Sequence, residues 1–142
     1  MSEAVQSSMV DQPSPHEVQT RIVVGYSPRP EGQAALKRAL TEAKLRAAAL
    51  VVVNTAPDVD TAELAEQLTT SGISYEIKTT ANTQDSAEEL IRTAETTGAD
   101  FIVIGLRRRS PVGKLLLGSN AQKVLLDAAC PVLAVKADPD AD

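Results

Sequence analysis

Between residues 21 and 136 the chain alternates short apolar runs, rich in β-branched residues, with segments whose apolar positions recur every three or four residues. Strands that alternate with helices need crossover connections. The outcome is an α/β fold: one doubly wound, five-stranded parallel sheet with four helices divided between its two faces. The strands are expected at Arg21–Tyr26, Leu50–Thr55, Ser74–Thr80, Asp100–Gly105 and Pro131–Lys136. The third alternates polar and apolar residues, as a half-exposed edge strand does, whereas the fourth is apolar throughout and belongs in the middle. Helices are expected over Pro30–Ala48, Asp58–Ser71, Gln84–Thr97 and Ser119–Ala128. Asp60 and Glu63 have capping-box-like spacing, and Gly72 and Gly98 suit the residue just past a helix end.

Composition narrows the functions such a domain can have. The 142 residues suit one domain with a substantial core. Aromatic residues are 2% of the chain, too few for the stacking platforms of single-strand nucleic-acid binders. Nucleic acid is therefore not an expected partner. A single cysteine, Cys130, rules out an intramolecular disulfide and any cysteine-based zinc site, and a single histidine, His16, leaves no pair for a metal centre. No apolar run approaches the ~18 residues of a membrane span, and no secretory signal is visible at the start. A cytoplasmic protein is expected. The ends differ from the middle: residues 1–20 are rich in Ser and Pro and read as a disordered tail, and residues 137–142 read as a short acidic one. Each end carries three acids and no Lys or Arg, so the net charge of −5 belongs to the ends and the folded region is close to neutral.

In open parallel sheets ligands bind beyond the carboxyl ends of the strands, where strand order reverses. The residues to watch are therefore Gly25-Tyr26-Ser27, Asn54-Thr55 and those from Gly105 onward. Residues 105–120, GLRRRSPVGKLLLGSN, are too long for an ordinary strand-to-helix turn, and such loops are often functional. They hold Arg107, Arg108, Arg109 and Lys114 with no acid among them, then run through Gly118-Ser119-Asn120 into a helix. A glycine at that point lets backbone approach a ligand, and the free N–H groups and positive dipole end of the helix favour an anion. This is a phosphate cradle with a cationic rim. It is not a Walker A loop, because position 108 is arginine and Leu115 follows Lys114; nor does a Gly-x-Gly-x-x-Gly follow the first strand.

Gly105, two residues, position 108, nine residues, then Gly118-Ser119 resembles the Gly-x2-Gly-x9-Gly-Ser/Thr signature of universal stress proteins. The early Ile-Val-Val-Gly strand, the Ala-rich helix after it and the closing Cys130-Pro131-Val132-Leu133 agree, over roughly residues 21–136. The resemblance implies an adenine-nucleotide α-hydrolase-like sheet of order 3-2-1-4-5, with the reversal between the first and fourth strands. It also implies a homodimer paired through the Pro131–Lys136 strand, an apolar edge that the chain leaves uncovered. In family members that bind ATP, phosphates lie on the signature segment, here Gly105, Gly118, Ser119 and Asn120, with Arg107 beside them. The nucleoside would then lie on Gly25, Tyr26, Ser27 and Thr55. Two positions depart from that pattern. Arg108 replaces the second glycine and either crowds the phosphates or reaches them as a cation. Ser27 replaces the usual Asp, keeping a hydrogen-bonding group but losing its charge.

The plainer roles of these residues are also expected: Ser119 as a helix N-cap, Tyr26 as packing, Cys130 as a small buried apolar residue, and the arginines as a solvated loop. No catalytic constellation is visible, since the folded region has no histidine base and no carboxylate pair near the strand ends, so an enzyme is not expected. The function read from the sequence is a regulatory protein that binds ATP or a related adenine nucleotide, with Mg2+ if the ligand is a triphosphate, as a homodimer. The alternative is a ligand-independent interaction protein that has lost ATP binding, for which Ser27 and Arg108 speak.

Overall fold

The computed structural model describes residues 19–109 and 114–137. The expectations for His16, for the residue 1–18 and 138–142 ends, and for Ser110-Pro111 lie outside these residues, as do the side chains of Arg108, Arg109 and residues 114–116. The elements run β1 (Arg21–Tyr26), α1 (Pro30–Arg46), β2 (Ala49–Asn54), α2 (Ala62–Ser71), β3 (Tyr75–Thr79), a 3-10 turn (Thr83–Asp85), α3 (Ser86–Thr97), β4 (Phe101–Arg109), β5 (Lys114–Leu116), α4 (Ser119–Asp127) and β6 (Val132–Lys136).

Five strands form the parallel sheet, in the order β3-β2-β1-β4-β6. This is the expected order, with the last strand numbered β6 because a short strand intervenes. Side-chain alternation along the strands divides the core into two layers. Ile22, Val24 and Tyr26 of β1, with Leu50, Val52 and Val103, face Ala35, Leu36 and Ala39 of α1 and Leu64 and Leu68 of α2. Val23, Val51, Val53, Ile102, Ile104 and Leu106 face Ala87, Leu90 and Ala94 of α3 and Val124 of α4. The alanines of α1 bring its axis close to the strands, as an aromatic-poor core requires.

Two helix ends that differ from the expectation have clear local causes. α1 stops at Arg46, because Ala47 turns left-handed (φ 53°) and the Ala48 N–H bonds back to Ala43 O at 2.9 Å. α2 starts at Ala62, because a turn closed by the Val59 N–H on Ala56 O occupies the preceding residues. Asp60 accepts from the Ala62 N–H at 3.0 Å, a local turn two residues on, and Thr61 is the N-cap without a side-chain cap, so the capping-box spacing of Asp60 and Glu63 does not form a capping box.

The largest correction concerns residues 105–120. β4 does not end at Gly105 but continues to Arg109, and the chain returns as β5, antiparallel, with Arg107 opposite Leu116 and Arg109 opposite Lys114. The expected long loop is thus largely a two-stranded ribbon projecting past the end of the parallel sheet. Runs of three arginines and three leucines show no alternation, and backbone pairing alone makes these residues strand. Among the described residues no helix is long and apolar enough to cross a membrane.

Candidate functional site

β1 and β4 are neighbours whose helices, α1 and α4, leave on opposite faces of the sheet. The chain therefore opens a crevice at their carboxyl ends, and there lies a cavity of about 690 Å3. That volume is in the range of small-molecule sites. Gly25, Tyr26 and Ser27 after β1, Thr55 after β2, Gly105 and Arg107 on β4, and Gly118, Ser119 and Asn120 at the start of α4 all line it. Nine of the ten sequence-predicted residues are thus brought together; the tenth, Arg108, pairs through its backbone with Leu115 beside them.

Three helix N-termini border the cavity: Glu31 and Gly32 from α1, Ser86 from α3 with Thr83 before it, and Ser119 to Ala121 from α4. Each offers free N–H groups and the positive end of a dipole, but they are not equivalent. α1 carries Glu31 in its first turn, and α3 carries Glu88 and Glu89. α4 has no acid in its first turn, and Arg107 lines the cavity with it. An anion is therefore best held at α4.

The structure corrects the role of Ser119. Gly118 is the N-cap of α4 and Ser119 its first helical residue, and no side chain caps the helix. The Ser119 hydroxyl has no hydrogen-bond partner among the described residues, so it is available to a ligand. Gly118 has ordinary extended backbone (φ −69°, ψ 169°), and a Cβ built there would meet nothing within 4 Å. Neither conformation nor packing demands glycine at 118; its small size leaves open space at the mouth of the helix.

Gly105 is different. A Cβ at that position would stand 1.9 Å from the Glu31 carbonyl oxygen, so the first turn of α1 rests directly on β4. Gly32 makes the complementary contact: its Cβ would lie 2.3 Å from Ser27 O. These two glycines let α1, the β1–α1 loop and β4 close together into one wall. Gly32 and Glu31 escape motif reading because only the sheet topology brings the start of α1 onto β4. Thr83 and Ser86 escape it for the same reason.

The nucleoside-side residues are partly committed to one another. The Thr55 hydroxyl donates to Tyr26 O at 3.0 Å and its N–H to the same oxygen at 2.8 Å, which fastens the ends of β1 and β2. Asn54, fully buried, accepts from the Ala56 N–H at 3.1 Å and so shapes the turn that carries Thr55 and Ala56 into the lining. Tyr26 is 8% exposed and belongs to the core layer under α1, with its hydroxyl taking the Gln33 amide at 3.4 Å; the ring packs and does not serve as a stacking platform. Ser27 Oγ accepts from the Arg29 N–H at 3.4 Å. Arg29 Nε in turn donates to Glu31 Oε2 at 3.2 Å, making a nearly neutral pair on this wall. Cys130 lies just before β6, packed against the second core layer but only half-buried rather than buried as expected, and desolvation still pushes its thiol pKa up.

Comparison with known proteins agrees with the fold. A model of the universal stress protein family matches residues 60–136. A universal stress protein of Mycolicibacterium smegmatis is 43% identical over 126 residues, covering 81% of this chain and 96% of that protein. Among solved structures, a universal stress protein from Archaeoglobus fulgidus superposes with a TM-score of 0.66 at 31% identity, over 84% of this chain and 100% of that one. Another from the same organism, in complex with dAMP, has a TM-score of 0.59 at 24% identity, over 84% of this chain and 98% of that one, and shows likeness of fold.

Proposed function

Since the chain belongs to the universal stress protein family, we propose that it is a regulatory protein that binds an adenine nucleotide in the β1/β4 cavity and acts by occupancy rather than turnover. The observation that carries this reading is the asymmetry of the three helix N-termini. Only α4 combines an acid-free first turn with an open glycine, an unbonded hydroxyl at Ser119 and the neighbouring Arg107. Phosphates sit there, on Gly118, Ser119 and Asn120, with Mg2+ accompanying them when the ligand is a triphosphate. The nucleoside extends toward Ser27 and Thr55 and rests on backbone and aliphatic surface. A family structure in complex with dAMP supports the adenine nucleotide as ligand class.

Among the described residues, the cavity lining holds no histidine or cysteine and a single carboxylate, Glu31, already bonded to Arg29. That chemistry suits holding a nucleotide better than hydrolysing it. The reading includes a cytoplasmic homodimer joined through β6, whose outer edge pairs with nothing among the described residues.

Equilibrium dialysis against ATP, ADP, AMP and cyclic AMP tests the proposal. Saturable binding of at least one is expected, weakened by Gly118→Leu. Absence of binding at millimolar concentrations overturns it and leaves the interaction-protein reading.

A further inference from the structure

The wall opposite α4 carries one charged acceptor with a free lone-pair face. Glu31 is the second residue of α1, and its side chain is only 19% exposed. Oε2 takes the Arg29 Nε–H at 3.2 Å, while Oε1 has no partner among the described residues. It is the one acid among the described residues that line the cavity. Its backbone is fixed where it stands, because the Glu31 carbonyl lies against Gly105. Ser27 Oγ, another acceptor in the lining, already receives the Arg29 N–H.

Charge sets the direction in which a nucleotide lies. Its phosphates are drawn to α4 and Arg107, whereas Arg29 and Glu31 offset each other on the α1 wall, so the sugar faces that wall. A ribose presents two hydroxyl donors on adjacent carbons. A carboxylate is the acceptor suited to that pair, and the same chemistry reads the ribose in dinucleotide-binding folds. Resting on the nucleotide reading above, we propose that Glu31 reads the sugar, selecting ribonucleotides with a free 2′,3′-diol over deoxynucleotides and over 3′,5′-cyclic nucleotides. Arg29 holds the carboxylate in place through Oε2 and leaves Oε1 to the ligand.

Calorimetric titration of AMP, 2′-deoxy-AMP, 3′-deoxy-AMP and cyclic AMP into wild type, Glu31→Gln and Ser27→Ala tests this. Wild type is expected to prefer AMP by about tenfold over each analogue, the size of one charge-assisted hydrogen bond. Glu31→Gln should collapse that preference to about twofold or less, while affinity for the deoxy analogues changes little; Ser27→Ala, at a residue that also faces the nucleoside, should keep the ratio between AMP and its analogues whatever it does to the affinities themselves. A preference that survives Glu31→Gln, or is abolished only by Ser27→Ala, overturns the assignment. So does a uniform loss of all four ligands in Glu31→Gln, which would mark a structural role. If wild type binds ATP or ADP but not AMP, the same comparison is made with ATP and its 2′- and 3′-deoxy analogues; if it binds none of these nucleotides, the nucleotide reading itself falls and this one with it.

Discussion

Gly105 and Gly118 stand at the two ends of one sequence motif, and each is glycine for its own reason. At 105 a side chain would collide with backbone of α1, which cannot swing away as a side chain can. Gly105→Ala is expected to destabilise the fold by about 2 kcal/mol or more, read as a lowered urea midpoint with an unchanged slope. At 118 the space is empty and the backbone is one any residue adopts. Gly118→Ala should cost about 1 kcal/mol or less, the ordinary price of alanine at an N-cap, yet weaken nucleotide binding in dialysis. Equal stability losses in the two variants would refute the distinction. Ala47 offers the reverse case: an exposed alanine held left-handed at a helix end, where glycine carries no strain. Ala47→Gly should stabilise the protein by about 1 kcal/mol in the same denaturation experiment.

At the scale of the element, α1 has a charged face as well as a packing face. Glu42, mostly sheltered, accepts from Arg38 Nε at 2.7 Å and also bonds Arg46, whose guanidinium lies 5.2 Å from the centre of the Phe101 ring. This network ties the C-terminal turns of α1 to the start of β4. The Arg38 hydrogen bond, helped by Arg46 and opposed by burial, holds the Glu42 carboxyl pKa below its ordinary value. A carboxyl pKa lowered by folding contributes stability above its unfolded value and loses it as pH falls through the folded one. Stability should therefore fall on acidification below the usual carboxylate range, and the fall should be shallower in Glu42→Gln. A thermal-melt series from neutral to acid pH measures both. The elements themselves were largely legible in the sequence, because period two and period 3.6 are direct consequences of strand and helix geometry. The β4–β5 ribbon was not: Arg107 to Arg109 alternate nothing, and their strand character comes from pairing with residues 114–116. Nine cavity residues could be named because they follow strands or begin a helix in the motif. Glu31, Gly32, Thr83 and Ser86 could not, since their place depends on which strand each helix packs across.

At the scale of the molecule, the β6 edge is where the proposed dimer can be tested. The Ile102 N–H bonds Pro131 O, and the Ala137 N–H bonds Leu106 O, so alternate residues of β6 turn their backbone groups toward β4. Ala134, exposed and out of that phase, turns its N–H and carbonyl to the open side. Proline there removes a donor from the edge but none from the β4 ladder. Ala134→Pro is expected to convert a dimer into a folded monomer, seen as a halved mass by light scattering with the circular dichroism spectrum retained; a dimer that persists would place the contact elsewhere.

The register between β4 and β6 carries one more consequence. Gly105, on the cavity wall, lies directly opposite Val135 on the outermost strand. Only a single rung, about 4.8 Å wide, separates the cavity wall from the surface where a second copy would join. A ligand that stiffens β4 and a partner that stiffens β6 therefore act on one shared beam, and thermodynamic reciprocity applies to them. Whatever factor the nucleotide adds to the dimerisation constant, dimerisation must return to the nucleotide's affinity. If the chain both binds a nucleotide and dimerises as proposed, its own concentration becomes a second input beside the ligand's.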